Sequence, residues 1–188
     1  MLKVITNYLA SVHLAALGEA WTIAKKSDLD LIQSWRNNED LRKYFREYRE
    51  FSITQKEDWY TNMINSKNFE MFVIVDLEND EVIGVTGITY IDWPNRHGDV
   101  HFYIGKDGQW IDEKYSPVAI KLILNYGFKI LNLNKLWAEI YEIDFKKLKF
   151  FKSLGFQIDA TLREHYYYNG KYYNSHILSL LKRDANYE

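Results

Sequence analysis

The chain has 188 residues, enough for one domain with a sizeable core. Its formal charge is −2, with 24 basic against 26 acidic side chains and no long basic run, which argues against a polyanion binder such as a nucleic-acid protein. The absence of cysteine excludes disulfides, thiolate nucleophiles and cysteine-ligated zinc, and suits a reducing cytoplasm.

Residues 1–16 are mildly apolar, interrupted by Lys3 and His13. They are too short to span a membrane and carry no signal-peptide cleavage pattern, so residues 1–20 read as an N-terminal extension or docking helix. A first strand is expected over residues 21–25. Ser27 and Asp30 then resemble a capping box, with Leu31, Ile32 and Trp35 on the apolar side of the helix. A short second helix follows over residues 39–45. Residues 45–50 are charged and aromatic without clear period. They read either as a solvated connector or as a substrate-facing loop in which Arg46 or Arg49 pairs an anion. Thr54 and Glu57 suggest another capping box opening a helix through Trp59 and Met63.

From residue 71 the pattern turns to sheet, with strands predicted over 71–77 and 82–91; Gly84 and Gly87 suggest a bulge or a close backbone approach. Residues 93–98 make a turn into a strand at 99–104, where Asp99, His101 and Tyr103 alternate with Val100, Phe102 and Ile104. Ser116 and Pro117 fit an N-cap and first helical position, and Ala119, Leu122, Ile123, Tyr126, Gly127 and Ile130 form one apolar stripe. A strand over residues 135–141 and a helix capped by Asp144 and ending at Gly155 complete a strand–helix–strand–helix unit. The loop entering the first of those helices is a natural phosphate site. Asn169-Gly170 is a strong hairpin signal between strands at 162–168 and 171–181. No repeat or linker divides the chain, so residues 1–188 read as one domain.

This order of elements resembles the GCN5-related N-acetyltransferase (GNAT) family, and within it the branch that acetylates ribosomal-protein N-termini and its aminosugar- and polyamine-acetylating relatives. The resemblance rests on Ser34-Trp35-Arg36-Asn37, on residues 82–87 with Asp92 and Asn95-Arg96, and on Lys152-Ser153-Leu154-Gly155-Phe156. It implies an α/β fold with a central twisted, mostly antiparallel mixed sheet flanked by helices and a parallel β-α-β crossover. It also implies acetyl-CoA as co-substrate, no metal, and direct attack of a primary amine on the thioester. The cofactor would run along Phe102, Tyr103 and Ile104, with its pyrophosphate at the loop formed by Gln109, Lys114, Tyr115 and Ser116. Asp144 and Phe151 would border it from the late helix.

Asp99 stands where that branch often places an acidic residue, able to accept the ammonium proton; a strand-end carboxylate bound to an arginine is the structural alternative. His101 shares its face as a relay or substrate contact. Arg46, Trp93 and Tyr141 are candidate substrate contacts. The family's phosphate loop has two glycines where this chain has Asp112 and Lys114, so Lys114 and the Ser116 hydroxyl are expected to serve as side-chain phosphate ligands. The tyrosine that many members use as general acid falls at Phe151, which is most simply core. The acceptor is expected to be a small molecule such as an aminosugar or its nucleotide conjugate. The alternatives are a protein N-terminus, or a GNAT-fold binding or regulatory module without catalysis. No nucleic-acid or membrane partner is expected, and the resemblance is compatible with a homo-oligomer.

Overall fold

The computed structural model describes residues 19–23 and 26–185, the first of these segments by its backbone. The expected docking helix lies outside the described residues. In chain order the elements are β1 (Glu19–Ile23), α1 (Leu29–Asn37), α2 (Glu39–Arg42), α3 (Ile53–Asn65), β2 (Glu70–Asp76), β3 (Glu81–Asp92) and β4 (His97–Ile104). Then come α4 (Ser116–Asn125), β5 (Lys135–Tyr141), α5 (Phe145–Ser153), β6 (Gln157–Tyr168) and β7 (Lys171–Leu181). The seven strands form one sheet in the order β1-β2-β3-β4-β5-β7-β6, antiparallel except for the β4–β5 pair. This is the mixed, mostly antiparallel α/β architecture expected.

The alternation along β4 separates two cores. Val100 and Phe102 join Ile120, Ile123, Phe151 and Phe156 on the side covered by α4 and α5. Tyr103 joins Ile32, Trp35, Leu41 and Met63 on the side covered by α1–α3. Each fully buried side chain of this size contributes roughly 1.5–3 kcal/mol, which fixes the register of β4 against both layers. The glycine expected to bring backbones together does so: a Cβ at Gly84 would stand 2.4 Å from the Tyr103 carbonyl. The β2–β3 ladder slips by one residue beside it, between Ile74 and Val75.

Three helix starts differ from expectation. Asp28 precedes α1 without any side-chain cap bond, and the Ser27 hydroxyl turns to Asp28 instead. The capping box of α3 is Ser52 with Gln55, not Thr54 with Glu57, because the extended backbone at Ser52 aims its hydroxyl at the Gln55 N–H. Ser116 is the first residue of α4 rather than its cap, and α4 runs on through a π-helical turn, Tyr126–Ile130.

β4 and β5 pair only over His97↔Lys135, Gly98↔Leu136 and Asp99↔Trp137. Beyond Asp99 they part, while β5 continues its ladder with β7 to Tyr141↔Ser175. The gap opens at Asp99, in the middle of the sheet.

Candidate active site

A chamber of about 300 Å³ lies at this parting, walled by Asp99, His101, Phe102 and Tyr103 of β4, Glu139 and Tyr141 of β5, Lys147 of α5, Trp110, and Arg46 from the connector between α2 and α3. The Asp99 side chain is only 5% exposed, and Arg46 Nη1 donates to its Oδ2 at 2.7 Å. Arg46 Nε donates to Glu139 Oε2 at 3.0 Å, and the other Glu139 oxygen accepts from the Ser175 hydroxyl at 2.6 Å. Burial pushes the Asp99 carboxyl up to about 6, against the pull of Arg46 and Lys147. Burial alone would lower the Arg46 value, but Asp99 and Glu139 together hold its guanidinium above the ordinary range.

His101 shares the chamber, yet burial and the nearby cations Lys147, Arg46 and Arg36 push its ring down to about 3. A neutral imidazole keeps one donor and one acceptor nitrogen, so His101 enters the site as a neutral polar group on the face it shares with Asp99. The Tyr103 hydroxyl is buried without a hydrogen-bond partner, and burial raises it above the usual phenol value. An orphaned hydroxyl costs roughly 1–3 kcal/mol, so the chamber offers a polar ligand a free partner. Tyr141 is pushed up to about 12 by burial and Glu139, and its ring stacks on Tyr166 at 4.0 Å.

A larger cavity of about 740 Å³ adjoins the chamber and shares Arg46, Glu139 and Tyr141 with it. Arg42, Lys43 and Tyr48 line it from the helical side, and His165 and Tyr166–Asn169 line it from the closing hairpin. The Tyr166 hydroxyl donates to the Lys43 carbonyl at 2.6 Å, which ties the two sides together.

The loop before α4 is not an open cradle. Asp112 Oδ1 accepts from the N–H of Tyr115 at 3.0 Å, the N–H of Ser116 at 2.8 Å and the Ser116 hydroxyl at 2.9 Å. A carboxylate thus takes the helix-end position that favours anions, and the Ser116 hydroxyl is spent within the loop. The Lys114 ammonium turns away to the Tyr115 hydroxyl at 2.8 Å, which itself donates to Asp76. In this arrangement the Lys114 ammonium is bonded to the Tyr115 hydroxyl and the Ser116 hydroxyl to Asp112, so a phosphate would have to exchange with these partners. Gln109 contributes its carbonyl to the Ile111 N–H.

Trp110, unnoticed in the sequence, turns into the structure with φ of 61° and exchanges both backbone bonds with Ile104, at 2.8 and 2.9 Å. This left-handed conformation is costly for a bulky residue and is held by packing. Its ring stacks on Tyr44 and Tyr103, and its Nε1 donates to Asp144 Oδ2 at 2.7 Å. Asp144 also caps α5 through the Lys147 N–H, as expected. Phe151 is fully buried and stacked on Phe102, so it presents no surface to a ligand, which corrects its place among the cofactor contacts. Trp93 donates to the Lys67 carbonyl and lies outside both of these cavities. Lys147 was missed among the lysines of α5; its position one turn before Phe151 on the buried stripe was the available signal.

Among the described residues no group of three histidine or carboxylate side chains is placed to hold a metal, and no helix is long and apolar enough to cross a membrane.

The comparisons agree with this geometry. The family model for the acetyltransferase (GNAT) domain matches residues 22–177. The chain is 29% identical over 161 residues to the uncharacterized N-acetyltransferase p20 of Bacillus licheniformis, covering 84% of this chain and 89% of that one. It is 25% identical over 148 residues to the spermidine N(1)-acetyltransferase of Vibrio cholerae, covering 79% and 84%. The crystal structure of spermidine N-acetyltransferase from Vibrio cholerae in complex with CoA and spermine superposes with a TM-score of 0.82 at 24% identity, over 89% of this chain and 97% of that one. With the strand parting, the chamber and a family match over most of its length, the chain belongs to the GNAT family and is an acetyl-CoA-dependent N-acetyltransferase.

Proposed function

We propose that the acceptor is an amino group on a sugar that carries an anionic substituent, such as a nucleotide-linked aminosugar. The observation behind this reading is the make-up of the outer cavity. Arg42, Lys43 and Arg46 face it together with a ladder of tyrosine rings, Tyr141 on Tyr166 at 4.0 Å and Tyr166 on Tyr168 at 6.2 Å. Aromatic faces suit a sugar ring and the Lys43 ammonium suits phosphate, while Arg42 is paired with Glu50 and Arg46 with Asp99 and Glu139. The Vibrio cholerae relatives are named for spermidine, a multiply charged cation. The carboxylates facing this cavity are Glu39 and Glu139, and Glu139 is committed to Arg46 and Ser175. Mixed charge of this kind gives a polycation little to hold.

In this reading the amine enters the chamber and Asp99 accepts its proton, with Arg46 keeping the carboxyl in position. Acetyl-CoA approaches along β4 beside Phe102 and Tyr103, with its thioester at the chamber. The chamber fits that end of the molecule. At the loop end the Asp112 carboxylate competes with phosphate for the Tyr115 and Ser116 N–H groups, so the Gln109–Ser116 segment is a phosphate site weakened by its own side chain. Sequence position alone could not separate this from an ordinary turn.

The test is thiol release from acetyl-CoA with a panel containing a free aminosugar, a nucleotide-linked aminosugar and spermidine. The nucleotide-linked sugar is expected to exceed spermidine in kcat/KM by more than about tenfold, since one charge-assisted bond to phosphate contributes roughly 1.5–3 kcal/mol. Spermidine as the better acceptor would overturn the assignment.

A further inference from the structure

α5 carries four lysines, and three of them, Lys146, Lys149 and Lys152, are exposed. Lys147 instead turns inward across the gap between β4 and β5. Its Nζ donates to the Phe102 carbonyl at 2.9 Å and lies 4.4 Å from the centre of the Trp110 ring. The charged and titratable groups that face it are Asp99 and His101 from β4, Arg46 from the connector and Asp144 from the start of its own helix. The carbonyl and the aromatic faces of Phe102 and Trp110 hold the ammonium there against the cost of its burial. Here it stands in the same small chamber as Asp99.

Once the acceptor has entered as the neutral amine, acetyl transfer moves two protons: the attacking amine must lose one, and the departing sulfur must gain one. The geometry points to Lys147 as the proton donor to the CoA sulfur, an inference that rests on acetyl transfer taking place in this chamber. As the nitrogen lone pair forms the N–C bond, the C–S bond breaks and its electron pair goes to sulfur. Sulfur then takes a proton from Lys147 Nζ, and the surplus amine proton goes to Asp99. Return of a proton from Asp99 to Lys147 through solvent restores both groups.

The other groups nearby suit this step less well. Phe151 has no proton to give, and Tyr103 is raised by burial far above the working range. Burial pushes Lys147 down to about 8, against the pull of Asp144 and Asp99. That is close to an ordinary thiol, the match that general acid catalysis favours.

The experiment compares the parent with Lys147→Met and Lys147→Arg, each checked for folding by circular dichroism and melting. Turnover is read on whichever amine of the panel reacts fastest. Lys147→Met is expected to lower kcat by roughly 10²–10³, with KM for acetyl-CoA changed less than about threefold, and to lose the alkaline limb of the pH profile. An acetyl thioester of a nitrothiophenol, whose thiolate leaves without a proton, is expected to restore the variant to within about tenfold of the parent. A reading that needs no turnover is the ultraviolet absorbance of thiolate in bound CoA, whose ionisation should begin at lower pH in the parent than in Lys147→Met. Parent-like rate and pH profile in Lys147→Arg, equal losses with both thioesters, or unchanged ionisation of bound CoA would each overturn the assignment. If the aminosugars are inert while another amine reacts, the acceptor reading falls and the test of Lys147 stands; if no amine reacts, the bound-CoA ionisation decides it.

Discussion

At the inner end of the β4–β5 gap, Asp99, Arg46, Glu139 and Lys147 crowd a chamber in which the Tyr103 hydroxyl still lacks a partner. At the outer end, the loop before α4 is partly filled by its own side chain: the Asp112 carboxylate holds two backbone N–H groups and a hydroxyl that an anion would otherwise take. The first region leaves its electrostatics open to a reactant, with an acid raised and a lysine lowered from their ordinary values. The second is partly filled and reads as structure until something displaces it. Shifted titration at a cleft makes a group available for proton transfer, whereas a carboxylate bound to helix-end donors supports stability.

The sharpest way to break this contrast is at Asp99. Asp99→Asn is expected to lower kcat/KM by about 10²–10⁴ while leaving the protein folded. Its stability should also change shape with pH. The folded-state value of Asp99 is raised, so its contribution to stability is fully present below about 3.8 and is lost as pH rises through about 6. The asparagine variant lacks this slope, and denaturant midpoints measured across that window would show it. An unaltered rate, or an unaltered slope, would mean that the chamber is no more poised than the loop.

Asp112→Ala tests the loop end. Loss of the cap should cost about 0.5–2 kcal/mol of stability. CoA should bind more tightly by a factor of about five, because a negative charge worth up to about 1 kcal/mol leaves the helix start. Calorimetry that found weaker binding would show that the carboxylate supports the phosphate site rather than obstructing it. The smallest effect is expected at Lys114, whose ammonium already rests on the Tyr115 hydroxyl. Lys114→Ala should leave CoA affinity within about twofold of the parent, and a large loss would restore the lysine as a phosphate ligand.

What the sequence disclosed followed the range of its signals. The unit from β4 to α5 was readable because strand alternation, helical stripes and the Asp144 cap are all written within a few residues of one another. The Asn169-Gly170 turn likewise specified the β6–β7 hairpin. Asp99 was legible as a candidate, but its raised value was not, since it comes from burial by segments distant in the chain, against the pull of Arg46, 53 residues away. The loop was misjudged in detail. Asp112 looked like a charge in the way of phosphate, and nothing local told that Ser116 and Tyr115 would turn their donors onto it. Trp110 gave no sign because its ring is held by Tyr44 and Tyr103 from distant segments. Lys147 was obscured by three exposed lysines around it.

Arg46 meets Glu139 across 93 residues, and Tyr166 reaches the Lys43 carbonyl across 123. Asp99 stands at the last register pair of β4 with β5, so the interior that buries it is built jointly by both strands and by Arg46 from the connector. The reactive centre exists only where these distant segments meet, and a change that loosens any one of them returns Asp99 to water as an ordinary carboxylate.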